Sequence, residues 1–332
     1  MKFVSKLLIL VFASTSLFAQ TKKAEDFGYK HIKLKYNNDP VEILIKSKKG
    51  DEQKPKPLFL FCQGSMPMPL IKYDEIGEFG VFPFNPDSLS LYYHIVIIGK
   101  PFIPLICEAK SLRNDFTFID STGNFPQKYS ERNFLDYYVN RNIEVIEYLQ
   151  KQNWVDKDKL VVAGHSEGST VAAKMAALYP KITQLIYASG NPMGRILSII
   201  QENRLHESDT DSTRFAEFEI DYWNYVVKDK TSLDASQGDS YKATYDFSIP
   251  PINYLENLTI PVLVCYGTKD YSMPYNDYLR VDMIRKNKTN FSFKAYIGCE
   301  HNFFPIKSNG KPDYSVFNWN KVTQDWSNWL KK

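Results

Sequence analysis

The chain of 332 residues holds four cysteines, Cys62, Cys107, Cys265 and Cys299, too few for a disulfide framework. Two of them lie in or beside apolar, strand-like runs, so they read as buried thiols, with a single bridge such as Cys265 to Cys299 left open. Charge of one sign is lacking as well. The 41 basic and 38 acidic residues leave a formal net charge of +3, and the lysines are scattered instead of forming a stripe, which argues against a nucleic-acid partner. Beyond the first segment no apolar run is long enough to span a bilayer, and internal repeats and low-complexity tracts are missing. What is present is ordinary globular material, 43% apolar and 24% charged residues, enough to bury a large core. The length fits one large domain with decorations.

The N-terminus, positive over Met1 to Lys6 and then LLILVFASTSLFA, reads as a signal peptide over residues 1–19, cut before Gln20. The apolar run is shorter than the roughly 20 residues of a membrane span, although Leu17 occupies a position where a small residue is preferred. No cysteine follows directly to accept a lipid. The expectation is an exported protein, periplasmic or secreted, without a stable membrane anchor once the signal is removed.

Along residues 20–332 the pattern predicts an α/β architecture. His31 to Tyr36 and Val41 to Ile45, separated by Asn37-Asn38-Asp39-Pro40, read as a hairpin. Pro57 to Cys62 and Tyr92 to Ile98 are continuous apolar runs of strand length, as in strands covered on both faces. Apolar residues recur every three or four positions from about Glu131 to Gln152, predicting a helix. A strand over Lys159 to Ala163 and an Ala-rich helix from Glu167 to Leu178 follow, the helix stopping before Pro180. Strands are expected at Ile182 to Ala188, Ile260 to Tyr266 and Phe291 to Ile297, with helices near Asn276 to Arg285 and Phe317 to Leu330. Such alternation predicts a mainly parallel sheet with helices on both faces. The interval from about 190 to 257 breaks the rhythm with two helical pieces, Arg195 to Asn203 and Arg214 to Val227. With Phe215, Phe218, Tyr222, Trp223 and Tyr225 it reads as an inserted lid, its aromatics either walling a pocket or packing the lid onto the core.

Gly164-His165-Ser166-Glu167-Gly168 matches G-x-S-x-G, in which a serine on a sharp strand-to-helix turn projects its oxygen at the sheet edge. Chance alone yields the pattern in roughly one chain in ten of this length, taking background glycine and serine at about 7% each. The strand before it and the helix after it supply the required context, and the helix N-terminus adds positive potential where an oxyanion forms. A serine hydroxyl needs a base, and an imidazole base needs a carboxylate to fix its tautomer. Of the five histidines, His31, His94 and His206 are placed elsewhere and His165 lies within the turn itself, whereas His301 follows the last strand. Asp270, just past the strand ending Tyr266-Gly267, gives the order Ser, Asp, His; Glu300 and Asp277 are its competitors. The expected oxyanion donors are the backbone NH groups of Glu167 and of Ser65, in Cys62-Gln63-Gly64-Ser65.

From about Val41 to Leu330 the sequence resembles the α/β-hydrolase superfamily. Gly164 to Ser169, together with Ile260-Pro261 leading to Tyr266-Gly267-Thr268-Lys269-Asp270, looks like its dienelactone-hydrolase-like and prolyl-oligopeptidase-like branches. The resemblance implies a serine hydrolase, most simply esterase-like, that cleaves a carboxylic ester or amide in a small-molecule or short-peptide substrate without metal or organic cofactor. Gln63-Gly64 departs from the His-Gly that members commonly carry at the oxyanion loop, and no propeller of repeated blades precedes the domain. Three alternatives stay open: an aminopeptidase-like enzyme in which Glu167 or a lid carboxylate holds a substrate ammonium, an acyltransferase, and a non-catalytic binding module.

Overall fold

The computed structural model describes residues 22–208, 211–235 and 238–331. The signal peptide expected over residues 1–19 lies outside the described residues.

Strands β1 (Lys30–Tyr36) and β2 (Asp39–Lys46) form the expected hairpin, closed by Asn37 and Asn38 at positive φ (50° and 67°). Strand β3 (Lys56–Cys62) follows, then a short excursion with β4 (Ile71–Tyr73), β5 (Glu78–Phe79) and the single-turn helix α1 (Asp87–Ser90). The chain returns to the main sheet as β6 (His94–Ile98), leaves again through β7 (Ile106–Glu108) and the single turn α2 (Gln127–Ser130), and enters α3 (Leu135–Leu149). Strand β8 (Val155–His165) leads into α4 (Glu167–Leu178), then β9 (Gln184–Ala188). Between β9 and the next sheet strand come α5 (Arg195–Leu205), α6 (Phe215–Lys228), α7 (Tyr241–Ser248) and α8 (Ile252–Leu255). The chain ends with β10 (Val262–Gly267), α9 (Met273–Arg285), β11 (Phe291–Tyr296) and α10 (Trp319–Leu330).

Eight strands make one sheet in the order β1-β2-β6-β3-β8-β9-β10-β11. The pairs β1/β2 and β2/β6 are antiparallel, and every pair from β6 to β11 is parallel. Strand alternation divides the core between two faces. On β3, Leu58, Leu60 and Cys62 join the layer under α3 and α4, while Phe59 and Phe61 face the layer under α1 and α10. Val262, Val264 and Tyr266 against Leu263 and Cys265 divide β10 in the same way. Both faces are covered, so these strands carry no polar side to expose. The four cysteines are free thiols, so the bridge between Cys265 and Cys299 is not formed.

The sequence pattern did not foresee a second sheet of three strands, ordered β5-β4-β7, with β4 antiparallel to β5 and parallel to β7. Its strands are two or three residues long, too short for alternation to register.

Candidate active site

Parallel pairing brings the C-terminal ends of β3, β8, β9, β10 and β11 to one rim: Cys62 stands opposite Gly164, His165 opposite Ala188, and Gly267 opposite Tyr296. The loops leaving this rim carry Ser65, Ser166, Asp270 and His301.

Ser166 sits between β8 and α4 with φ 57° and ψ −126°, a conformation costly for a residue with a Cβ. Its NH is held by the carbonyl of Ala188 at 3.0 Å. The flanking glycines make the turn possible. A Cβ on Gly164 would lie 2.1 Å from the carbonyl oxygen of Gly168, and one on Gly168 would lie 2.0 Å from that of Cys62. No other residue fits at either position.

The three side chains chosen from sequence form one hydrogen-bonded chain. Ser166 Oγ lies 2.9 Å from His301 Nε2, and His301 Nδ1 lies 2.9 Å from Asp270 Oδ2. The other oxygen of Asp270 accepts the NH of Ser272 at 2.9 Å, so this buried carboxylate is oriented from both sides. Burial pushes the Asp270 carboxyl up, but the neighbouring imidazole and the Ser272 hydrogen bonds outweigh it and hold it below the ordinary value. Burial likewise lowers His301, yet the Asp270 carboxylate, with Glu300 and Glu202 further off, raises it above the usual 6.5. The competitors are engaged elsewhere: Asp277 accepts the Tyr266 hydroxyl at 2.5 Å, and Glu300 accepts the NH groups of Asn302 and Phe304 at 2.8 and 2.9 Å.

Glu167 is the first residue of α4, so its NH has no acceptor within the helix. Ser65 borders the same space, and its carbonyl accepts the Tyr129 hydroxyl at 3.2 Å. Among the described residues its own NH is given to no acceptor, as an oxyanion donor requires. Gln63, standing where a histidine is usual, donates its side-chain amide to the Ile98 carbonyl at 2.8 Å and ties the loop to β6.

The arrangement of strands and helices agrees with known structures. A family described as "BAAT / Acyl-CoA thioester hydrolase C terminal" matches residues 137–294. Est1E from Butyrivibrio proteoclasticus with ferulic acid bound superposes with a TM-score of 0.56 at 16% identity, over 90% of this chain and 97% of the other. The chain is an α/β-hydrolase by fold. The acylaminoacyl peptidase of Pyrococcus horikoshii aligns with 90% of this chain and 41% of its own length, at TM-score 0.52 and 14% identity. The 2,6-dihydroxy-pseudo-oxynicotine hydrolase aligns with 91% of this chain and 67% of its own, at TM-score 0.50 and 14% identity. A sequence search of curated proteins found no match.

Two clefts meet at Ser166. One, of about 400 Å³, is lined largely by polar residues and bordered by the segment between β9 and β10, with Asn191, Arg195, Ser198, Glu202, Phe247 and Tyr271 in its wall. The other, of about 540 Å³, is mostly apolar and built from the excursion after β3, with Met66, Met68, Leu70, Phe79 and Phe82, and from Phe116 after β7. The aromatic residues singled out in the insert line neither cleft. Phe215 and Phe218 are exposed, whereas Tyr222 meets Tyr241 edge-on and Trp223 stacks on Tyr245, both partners on α7. They pack helix on helix within the insert, and Phe247, on α7, reaches the polar cleft instead.

Sequence reasoning missed two contributors. His165 donates from Nε2 to the backbone carbonyl of His301 at 3.0 Å and packs against Phe303 and Trp319. Lys100, buried, holds one carboxylate oxygen of Glu167 at 2.9 Å while Arg195 holds the other at 3.1 Å. Both oxygens of this buried carboxylate therefore already face cations, and a substrate ammonium would have to compete with them. No spacing in the sequence marks either contact, because each joins segments more than 25 residues apart.

Proposed function

We propose that the protein is a serine hydrolase that cleaves a carboxylic ester through an acyl-enzyme on Ser166. The observation that carries this reading is the chain Ser166 Oγ, His301 Nε2, His301 Nδ1, Asp270 Oδ2, with 2.9 Å at both links, where two clefts meet. In that reaction His301 takes the proton of Ser166 as the oxygen attacks the acyl carbon, then gives it to the leaving group. Asp270 holds the Nδ1–H tautomer and stabilises the imidazolium. The NH groups of Glu167 and Ser65 receive the oxyanion, and water, deprotonated by the same imidazole, releases the acid.

A thioester reacts by the same steps, and the family match over residues 137–294 favours including thioesters among the substrates. An aminopeptidase-like reading would depend on Glu202 in the polar cleft, because both oxygens of Glu167 are occupied. The test is labelling by a fluorophosphonate probe together with hydrolysis of a short p-nitrophenyl ester. Both are expected in the wild type and neither in Ser166→Ala. A Ser166→Ala protein with near-wild-type turnover refutes the assignment.

A further inference from the structure

Lys72 lies on β4, the middle strand of the small sheet, between Phe79 on β5 and Cys107 on β7. Alternation along the strand sends Tyr73 to an outer groove with Glu108 and Lys72 to the apolar cleft that reaches Ser166. The Lys72 side chain is almost wholly enclosed, with 3% of the residue exposed. Its Nζ donates to the carbonyls of Pro69 and Gly80 at 3.0 and 2.9 Å, and no carboxylate pairs with it among the described residues. An ammonium has three donor positions, so one remains without a protein acceptor.

A buried cation without a counter-charge is unfavourable, and burial lowers the Lys72 ammonium to about 8, which still leaves it charged at neutral pH. Two backbone carbonyls do not account for it, because a neutral amide or hydroxyl would satisfy them without the cost of burying charge. The surroundings supply the rest of the argument: the wall between Lys72 and Ser166 includes Met66, Met68, Leu70, Phe79, Phe82 and Phe116. Such a cleft holds an apolar body and places a single cation against it.

We propose that Lys72 is the recognition residue of this cleft, pairing with a carboxylate at the far end of an apolar substrate half whose ester carbonyl lies at Ser166. The substrate class is then an ester bearing an apolar chain or ring that ends in a carboxylate. The identity of the reacting bond rests on the serine-hydrolase reading, but the binding preference does not.

Calorimetry on the Ser166→Ala protein separates the two. One ligand pair is the methyl ester of a medium-chain fatty acid and the monomethyl ester of the dicarboxylic acid of equal length; the other is an alkyl acetate and its ω-carboxylated counterpart. In at least one pair the carboxylated ligand is expected to bind about tenfold more tightly or better. Lys72→Met in the same background should abolish that ratio, and Lys72→Arg should retain part of it. Equal affinities within both pairs overturn the inference, as does a preference that survives in Lys72→Met. Turnover of the same esters by the unsubstituted protein reads the hydrolase assignment alone: preferential binding without turnover sinks that assignment and leaves Lys72 standing, and turnover without preference does the reverse.

Discussion

The Nε2–H of His165 is donated to the backbone carbonyl of His301 at 3.0 Å, so the residue preceding the turn serine holds the loop that carries the imidazole. Burial first, and the positive charge of His301 next, lower His165 to about 3, so it stays neutral and keeps this donor at every pH of interest. Phe303 and Trp319 fix its ring. On the proposed mechanism His165 is thus a positioning residue. His165→Phe keeps the packing and removes the donor, and kcat is expected to fall about tenfold to a hundredfold with KM little changed, because small misplacements of a reacting group are costly. Steady-state kinetics on one ester checks this; a fall in stability with kcat intact would assign His165 to packing alone.

The raised His301 sets the pH response. The proposed reaction needs the neutral imidazole, and the Asp270 carboxylate, overcoming burial, stabilises the protonated one. The acid limb of kcat/KM is therefore expected above the ordinary 6.5, with activity rising as pH rises through it. Asp270→Asn removes the carboxylate charge, so the limb should move to lower pH while kcat drops by about 10³ to 10⁴. A pH–rate profile of both proteins decides the matter. A limb that stays in place in Asp270→Asn would mean that another group titrates.

Gly168→Ala should be among the most damaging single changes in the chain. The added Cβ would meet the backbone of Cys62 at 2.0 Å, where neither β3 nor α4 has room to move. A loss of about 4 kcal/mol or more, or failure to accumulate folded protein, is expected. Gly64→Ala serves as the control: its Cβ would stand 3.6 Å from the Ser166 Cβ, an ordinary contact. Denaturant unfolding of the two variants makes the comparison.

Lys100 and Glu167 form an ion pair at 2.9 Å with side chains 3% and 2% exposed. Lys100→Met leaves the carboxylate with Arg195 alone and should cost about 3 kcal/mol in denaturant unfolding. Adding Glu167→Gln to Lys100→Met removes the stranded charge, and part of the loss should return. A double variant as unstable as the sum of the two single variants would show that the pair is not coupled.

Much of this was legible in the chain because its signals are local. The Ala-rich helix of Glu167 to Leu178 is found with the expected ends, since an N-terminal strained turn and a C-terminal proline bound it. The apolar runs that become β3, β6 and β10 are continuous because both faces of those strands are covered. Where the pattern failed, the reason is length: β4, β5 and β7 are too short to show a period, and the pairing of β4 with β7 joins residues more than 30 positions apart. Lys72 therefore reads in sequence as one more scattered lysine.

The polymer by itself determined the turn at Ser166, through two glycines that alone admit its backbone, and the order in which serine, aspartate and histidine follow their strands. Only tertiary structure decided which carboxylate meets His301, that Gln63 is fastened to β6, that both oxygens of Glu167 face cations, and that a buried lysine faces the second cleft. Those outcomes depend on distances between remote segments. Such distances are set by the sheet's pairing and by side chains competing for the same enclosed space, neither of which is written in any short stretch of residues.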